Sequence, residues 1–249
     1  LFFFYGWLFG FGYFVTNLYW ISISLTFDSS FKFLIPFALI LIPAFLSLFY
    51  GLITYLFVIF KPKKNVSSFF LFSLIFGVIE FVRGSILTGF PWNLIAYTFS
   101  NQLKILSITS IIGTYGFNLY CISLFTVPSL FILNKTKKNL GICALFFLIC
   151  VFNFFYGSIK ENKFLKSVKE TYDYRIRIIG SNISLDRFYV NLEPALIIEE
   201  LIKISSPNTN EKIIFVWPEG ILPDISQEDL VEYSWLFDKK FGEDHLLII

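Results

Sequence analysis

The sequence has no methionine, a single histidine (His245) and three cysteines (Cys121, Cys143, Cys150), and only 15% of its residues are charged. Each shortage removes a class of function. One histidine, with cysteines that all sit inside apolar runs, gives no set of ligands spaced for zinc and no disulfide framework, so no metal site is expected. No glycine-rich phosphate loop is present. Gly77 and Gly84 flank apolar helix, and the Gly10-Phe11-Gly12 pair lies inside an apolar run, where glycines serve helix packing. No cofactor motif stands in its place. A net charge of +2 is too small to hold nucleic acid. The charge deficit is the most restrictive shortage. A soluble domain carries about 25% charged residues, whereas this chain of 249 residues is 56% hydrophobic with a mean hydropathy of +0.70. That much apolar surface does not fit one soluble core, so a bilayer must act as a second solvent. With no methionine at position 1 the chain reads as beginning through a non-standard start or as a fragment. No basic region precedes the first apolar run, so no cleavable signal peptide is expected there.

Five long apolar segments are present, at roughly 2–26, 33–60, 67–87, 103–133 and 140–157. Each approaches or exceeds the ~20 residues that cross a bilayer as a helix. Lipid leaves the backbone no partner outside a helix or closed barrel, and the apolar runs lack the alternation of barrel strands. Pro128 is expected to kink the fourth span. Lys61, Lys63 and Lys64 follow the second span, and Lys135, Lys137 and Lys138 follow the fourth. The positive-inside bias puts both triplets in the cytoplasm and everything after the fifth span on the opposite side. Lys160, Lys163, Lys166 and Lys169 lie just past that span and read either as a solvated linker helix or as contacts to lipid headgroups.

The pattern changes near residue 175. Arg175-Ile176-Arg177-Ile178-Ile179 alternates as a strand, and Gly180-Ser181-Asn182 reads as a turn. Helical periodicity covers 190–205, Lys212 to Trp217 reads as a buried strand, a helix is expected at about 228–240, and His245 to Ile249 opens another strand. Strand, helix, strand, helix, strand is α/β order. The expected division is therefore a helical membrane bundle over 1–158, a linker over 159–174 and the start of an α/β domain over 175–249, cut short at its third strand.

Two places could carry chemistry. In Val216-Trp217-Pro218-Glu219-Gly220-Ile221-Leu222-Pro223, a carboxylate follows the carboxyl end of a central strand, where open α/β sheets bind ligands. Trp217 and the prolines suggest a stiff, partly dry setting that would raise the pKa of Glu219 and suit it to general-base work. The same residues also read as a solvated glutamate in an ordinary turn. In the third span, Glu80 and Arg83 share a helix face and can pair. Charges at that depth mark either function or a buried structural pair. The following Gly84 to Asn93 stretch, with Phe90, Pro91 and Trp92, reads as an interfacial turn or a tight re-entry.

These residues together resemble apolipoprotein N-acyltransferase, the membrane-embedded family of the nitrilase superfamily. Glu80-Phe81-Val82-Arg83-Gly84 with Leu87-Thr88-Gly89-Phe90-Pro91-Trp92 is similar to the family's third-helix and outer-loop signature. Trp217-Pro218-Glu219 with Pro223 is similar to the motif of its catalytic glutamate, and Asn17-Leu18-Tyr19-Trp20 to the end of an early helix. The resemblance implies a helical bundle in the bacterial inner membrane carrying an αββα nitrilase-like domain on the periplasmic side. It implies transfer of an acyl chain from a phospholipid donor to the N-terminal diacylglyceryl-cysteine of a lipoprotein, through a thioester on an enzyme cysteine. In the family's Glu, Lys and Cys triad, Glu219 matches the general base. Glu80, Arg83, Phe90, Pro91, Trp92 and Trp217 would lie on the substrate side. The family's lysine and cysteine lie downstream of Ile249, and its first helix precedes Leu1. Cys121, Cys143 and Cys150 sit in spans and cannot replace that cysteine, so the chain alone is expected to be inactive. The alternatives are a degenerate, non-catalytic or lipid-binding membrane protein, or a transporter. A transporter would place paired charges or broken helices around a midplane site, whereas Glu80 and Arg83 lie near one edge and an exported α/β domain is an odd accessory.

The lysine distribution yields a test. A cysteine introduced by Glu219→Cys is expected to react with a membrane-impermeant maleimide added on the face opposite the lysine triplets. Labelling by reagent confined to the cytoplasm would overturn both the topology and the enzyme reading.

Overall fold

The computed structural model describes residues 1–60, 66–87, 89–167, 173–180, 193–222, 225–226 and 228–249. The Lys61, Lys63 and Lys64 triplet, Thr88, Lys169, Ser181-Asn182, the beginning of the 190–205 helix and Pro223 therefore lie outside the described residues. The chain divides into two compact units, Leu1–Val168 and Lys169–Ile249.

The first unit is helical: α1 (Phe2–Leu18), α2 (Ile35–Ile59), α3 (Val66–Ser85), α4 (Leu103–Leu106), α5 (Thr109–Thr126), α6 (Pro128–Leu133) and α7 (Lys137–Ser167). By length and composition it holds five candidate spans, Phe2–Thr26, Ser29–Ile59, Val66–Ser85, Thr109–Leu133 and Lys137–Ser167. Their exposed surfaces are apolar, as on α7 with Phe147, Phe152 and Phe155, and these are the faces that lipid would cover.

α1 and α2 form an antiparallel pair. The Trp7 Nε1–H donates to Ala44 O at 3.0 Å, and the Thr54 hydroxyl donates to Phe2 O at 2.8 Å. α3 packs on α2 through Tyr50–Phe76 and Phe57–Phe72 ring contacts, and on α5 through Phe81–Tyr115. α7 closes the bundle. The Tyr120 hydroxyl donates to Phe146 O at 3.1 Å, the Asn153 amide donates to Ile105 O at 2.8 Å, and Lys104 pairs with Glu161 at 3.3 Å.

Two expected spans are less regular than their hydropathy suggests. The first leaves the α-helical path after Leu18 and continues as a 3₁₀ stretch, Tyr19–Thr26. There Ser22, Ser24 and Thr26 each turn their hydroxyl onto the carbonyl three residues back, which competes with α-helical bonding. The fourth is broken into α4, α5 and α6. Gly113 adopts φ 70°, ψ 171°, a conformation open to glycine and strained for other residues, and Pro128 starts α6 at its first turn.

The second unit is a three-stranded parallel sheet, β1 (Arg175–Ile178), β2 (Ile213–Val216) and β3 (His245–Ile248), in spatial order β1-β2-β3. Helices α8 (Pro194–Ser205) and α9 (Ser234–Asp238) supply the crossovers. Ile198, Leu201 and Ile202 of α8, Leu236 of α9, and Ile213, Phe215 and Trp217 share one core, so both helices cover the same sheet face. The opposite face presents Ile176, Ile178, Leu246 and Ile248 exposed. The helix expected over 228–240 is a 3₁₀ turn, Asp229–Tyr233, followed by the short α9.

The α1–α2 contact is close enough to need glycine. A Cβ on Gly10 would lie 2.8 Å from Tyr50 Cβ, whereas one on Gly12 would meet nothing within 4 Å. Gly10→Val is expected to destabilise the detergent-solubilised chain by about 1–3 kcal/mol in thermal unfolding, the range for overpacking. Gly12→Val, on the exposed face, is expected to leave the midpoint unchanged.

Candidate functional site

The best-organised polar cluster lies where α3 ends. Glu80 and Arg83 are one helical turn apart and both are fully buried. Arg83 donates to both carboxylate oxygens, Nε to Oε1 at 3.1 Å and Nη2 to Oε2 at 3.0 Å. Its Nη1 donates to Phe90 O at 2.8 Å and Trp92 O at 2.9 Å. The guanidinium thus commits four of its five N–H groups within the chain, and the Phe14 ring lies under it at 5.4 Å. Arg83 also sits in the last turn of α3, where the helix dipole favours a cation. The Tyr50 hydroxyl and the Asn118 amide nitrogen are buried facing the Glu80 carboxylate, without reaching strict hydrogen-bond geometry.

This pair ties down the chain that follows. The Phe90 N–H donates to Arg83 O at 3.1 Å, and Gly89 donates to Ile86 O at 2.9 Å. Beyond Trp92 the backbone folds back beside α5. Leu94 and Ala96 are buried, and Ala96 N–H donates to Asn118 Oδ1 at 2.9 Å. The Tyr13 hydroxyl holds Asn93 O at 3.0 Å. A groove of about 700 Å³ opens between the end of α1 and residues 92–98. Trp20 and Trp92 meet there edge to face at 5.7 Å, both exposed. Of the residues placed on the substrate side from sequence, Glu80 and Arg83 are interior, Phe90 is half-buried, and Pro91 and Trp92 are exposed. With four of its five donors occupied within the chain, Arg83 positions the loop. Asn118, Tyr50 and Tyr13 were not singled out from sequence. Asn118 could have been, as an amide inside a membrane span, where polar groups are costly.

Glu219 belongs to the second unit. It follows the carboxyl end of β2, the central strand, in a turn where Ile221 N–H donates to Pro218 O at 3.3 Å. Gly220, at φ 69°, occupies the position of that turn that demands a left-handed residue. Trp217 is buried toward the helices, with its Nε1–H donating to Ser205 Oγ at 2.9 Å. The partly dry setting expected for Glu219 is not the observed one. Its side chain is exposed, because the turn carries it past the edge of the core that buries Trp217.

A multi-pass helical bundle with a tethered loop after its third span, followed by a parallel α/β unit, defines a membrane protein with an attached sheet domain. The family described as apolipoprotein N-acyltransferase N-terminal domain matches residues 1–127, and the chain belongs to that family. Among curated proteins, the apolipoprotein N-acyltransferase of Rhizobium etli is 31% identical over 251 residues, covering 98% of this chain and 46% of the relative. That of Rhodopseudomonas palustris is 29% identical over 230 residues, covering 88% and 42%. That of Brucella melitensis is 29% identical over 226 residues, with the same two shares, 88% and 42%. The chain thus spans rather less than half the length of these relatives.

Removing one partner of a buried ion pair leaves an uncompensated charge. Arg83→Met is expected to lower stability by about 3–5 kcal/mol and to expose residues 87–94 to protease. The double variant Glu80→Gln/Arg83→Met should lose less than the sum of the two single losses, read by thermal unfolding in detergent. Additive losses would show that the two side chains are not coupled.

Proposed function

We propose that this chain contributes the membrane bundle and the glutamate-bearing part of an apolipoprotein N-acyltransferase. The donor is a phospholipid, and the acceptor is the N-terminal diacylglyceryl-cysteine of a lipoprotein. The observation that carries this reading is Glu219 in its Trp-Pro-Glu-Gly turn at the carboxyl end of the central parallel strand, in a chain whose first half matches the family. The relatives' names supply the reaction, and the bundle and sheet supply the parts on which it would run.

In the first half-reaction a thiol attacks the ester carbonyl of the phospholipid. Glu219 takes the thiol proton, a lysine stabilises the oxyanion, and the proton passes to the departing lysophospholipid oxygen. In the second half-reaction the lipoprotein amine attacks the thioester, loses its proton to Glu219, and the thiol is restored. The exposed Glu219 has open access to such a proton donor. Cys121 is buried and Cys143 and Cys150 half-buried within apolar helices, which supports a reading in which the thiol and the lysine come from outside these residues. The tryptophan-lined groove suits an acyl chain arriving from the bilayer, where tryptophan favours the interface.

Two further features belong to the same reading. A parallel sheet with helices on one face and exposed isoleucine and leucine on the other is what half of an αββα nitrilase-like sandwich presents, since parallel sheets are covered on both faces. The lysine bias supports a position of the second unit on the periplasmic side of the inner membrane.

The test joins the chain in frame to the complementary segment of the Rhizobium etli relative. The fusion is expected to add a third acyl chain to a diacylglyceryl lipopeptide, detected by mass spectrometry. Glu219→Gln should slow that transfer by about 10²–10⁴-fold, the range for a general base, with membrane insertion unchanged. The 249 residues alone should give no product. Full activity in Glu219→Gln would overturn the assignment.

A further inference from the structure

A second groove lies at the other end of the bundle and is not used by the acyl-transfer reading. It measures about 590 Å³ and is walled by Phe57 of α2, Phe69 and Phe72 of α3, Phe125 of α5, and Leu130 and Leu133 of α6. That volume falls within the range of small-molecule sites. Its rim is the tight connection between α6 and α7, and this connection is rigid for a stated reason. Asn139 is buried, and its amide donates to Leu130 O at 3.0 Å and Asn134 O at 2.8 Å, satisfying carbonyls at the end of α6. The Thr136 hydroxyl accepts from Asn139 N–H at 3.2 Å, capping the first turn of α7.

The rigid hairpin presents Lys135, Lys137 and Lys138, all exposed. The α7 dipole adds partial positive charge at the same place. Among the described residues none of the three is in an ion pair. The sequence has no Asp or Glu from residue 29 to 79 or from 81 to 160, stretches that contain every residue lining the groove. An apolar slot edged by uncompensated cations complements one kind of molecule, an amphiphile with an anionic head and a hydrocarbon tail. A second copy of the chain would bring the same lysines face to face.

We propose that this groove is a phospholipid site selective for anionic headgroups, with the phosphate on Lys135, Lys137 and Lys138 and an acyl chain along Phe57, Phe72 and Phe125. Phe125 also lines the tryptophan groove. The proposal does not depend on acyl transfer, and its test uses neither donor turnover nor acceptor.

The chain is reconstituted in phosphatidylcholine nanodiscs doped with spin-labelled phosphatidylglycerol or spin-labelled phosphatidylcholine, and the motionally restricted fraction is measured. Phosphatidylglycerol is expected to be restricted preferentially. The relative association should fall by about fivefold per lysine removed, as expected for a lysine near an anionic lipid. Lys135→Gln/Lys137→Gln/Lys138→Gln should therefore bring phosphatidylglycerol to the phosphatidylcholine level. The corresponding triple arginine variant should keep the preference. Ser129→Trp, an exposed position that lines the slot, should reduce restriction of both lipids with the lysines intact. Equal restriction of the two lipids by the unmodified chain would overturn the proposal. So would a preference that survives the glutamine variant, or one unaffected by Ser129→Trp.

Discussion

Burying a guanidinium and a carboxylate in a lipid-facing bundle is unfavourable unless each is matched, and the first unit is organised around meeting that demand. Glu80 engages Arg83 through both carboxylate oxygens, and Arg83 then spends its remaining reach on two backbone carbonyls of the next loop. The carbonyls of Phe90 and Trp92 would otherwise be unpaired near membrane depth, where each unsatisfied group costs several kcal/mol. One ion pair therefore solves two problems, neutralising itself and fixing the loop that carries Trp92. The rest of that end follows. With Trp92 held, Asn93 reaches Tyr13, Ala96 reaches Asn118, and the segment after the third span lies beside α5 instead of running free over the surface.

A parallel logic operates in the second unit at lower cost. Trp217 is anchored in the helix-side core by Ser205, and the Pro218-Glu219-Gly220 turn then throws the carboxylate out of that core. The strand alternation that buries Ile213, Phe215 and Trp217 on one face sends Ile214 and Val216 to the other. Glu219 has the same parity as those core residues, and it is the turn that takes it out of the core to the carboxyl edge of the sheet, where it is accessible.

Much of this was readable from residues in order. The five apolar segments correspond to five candidate spans, and the alternation around 175–179 and the apolar run at 212–217 correspond to strands. The spacing of Glu80 and Arg83 announced a shared helix face. What hydropathy could not reveal is where an apolar run stops being a helix. Ser22, Ser24 and Thr26 look like minor interruptions, yet their hydroxyls redirect the backbone into 3₁₀ geometry. Gly113 looks like one more small residue in a span, and it breaks the fourth. The exposure of Glu219 depends on which way a four-residue turn points, and flanking tryptophan and proline do not set that direction.

By itself the sequence determined the five long apolar segments, the α/β order of the final segment and the family, because these depend on composition, period and motif, which are local and additive. Tertiary structure alone decided that Arg83 holds the loop after the third span. It also decided that Asn118 and Tyr50, far apart in the chain, close around Glu80, and that the lysine hairpin edges an apolar groove. Those outcomes depend on which distant groups meet, and in a bilayer the need to satisfy every buried charge and carbonyl selects that meeting.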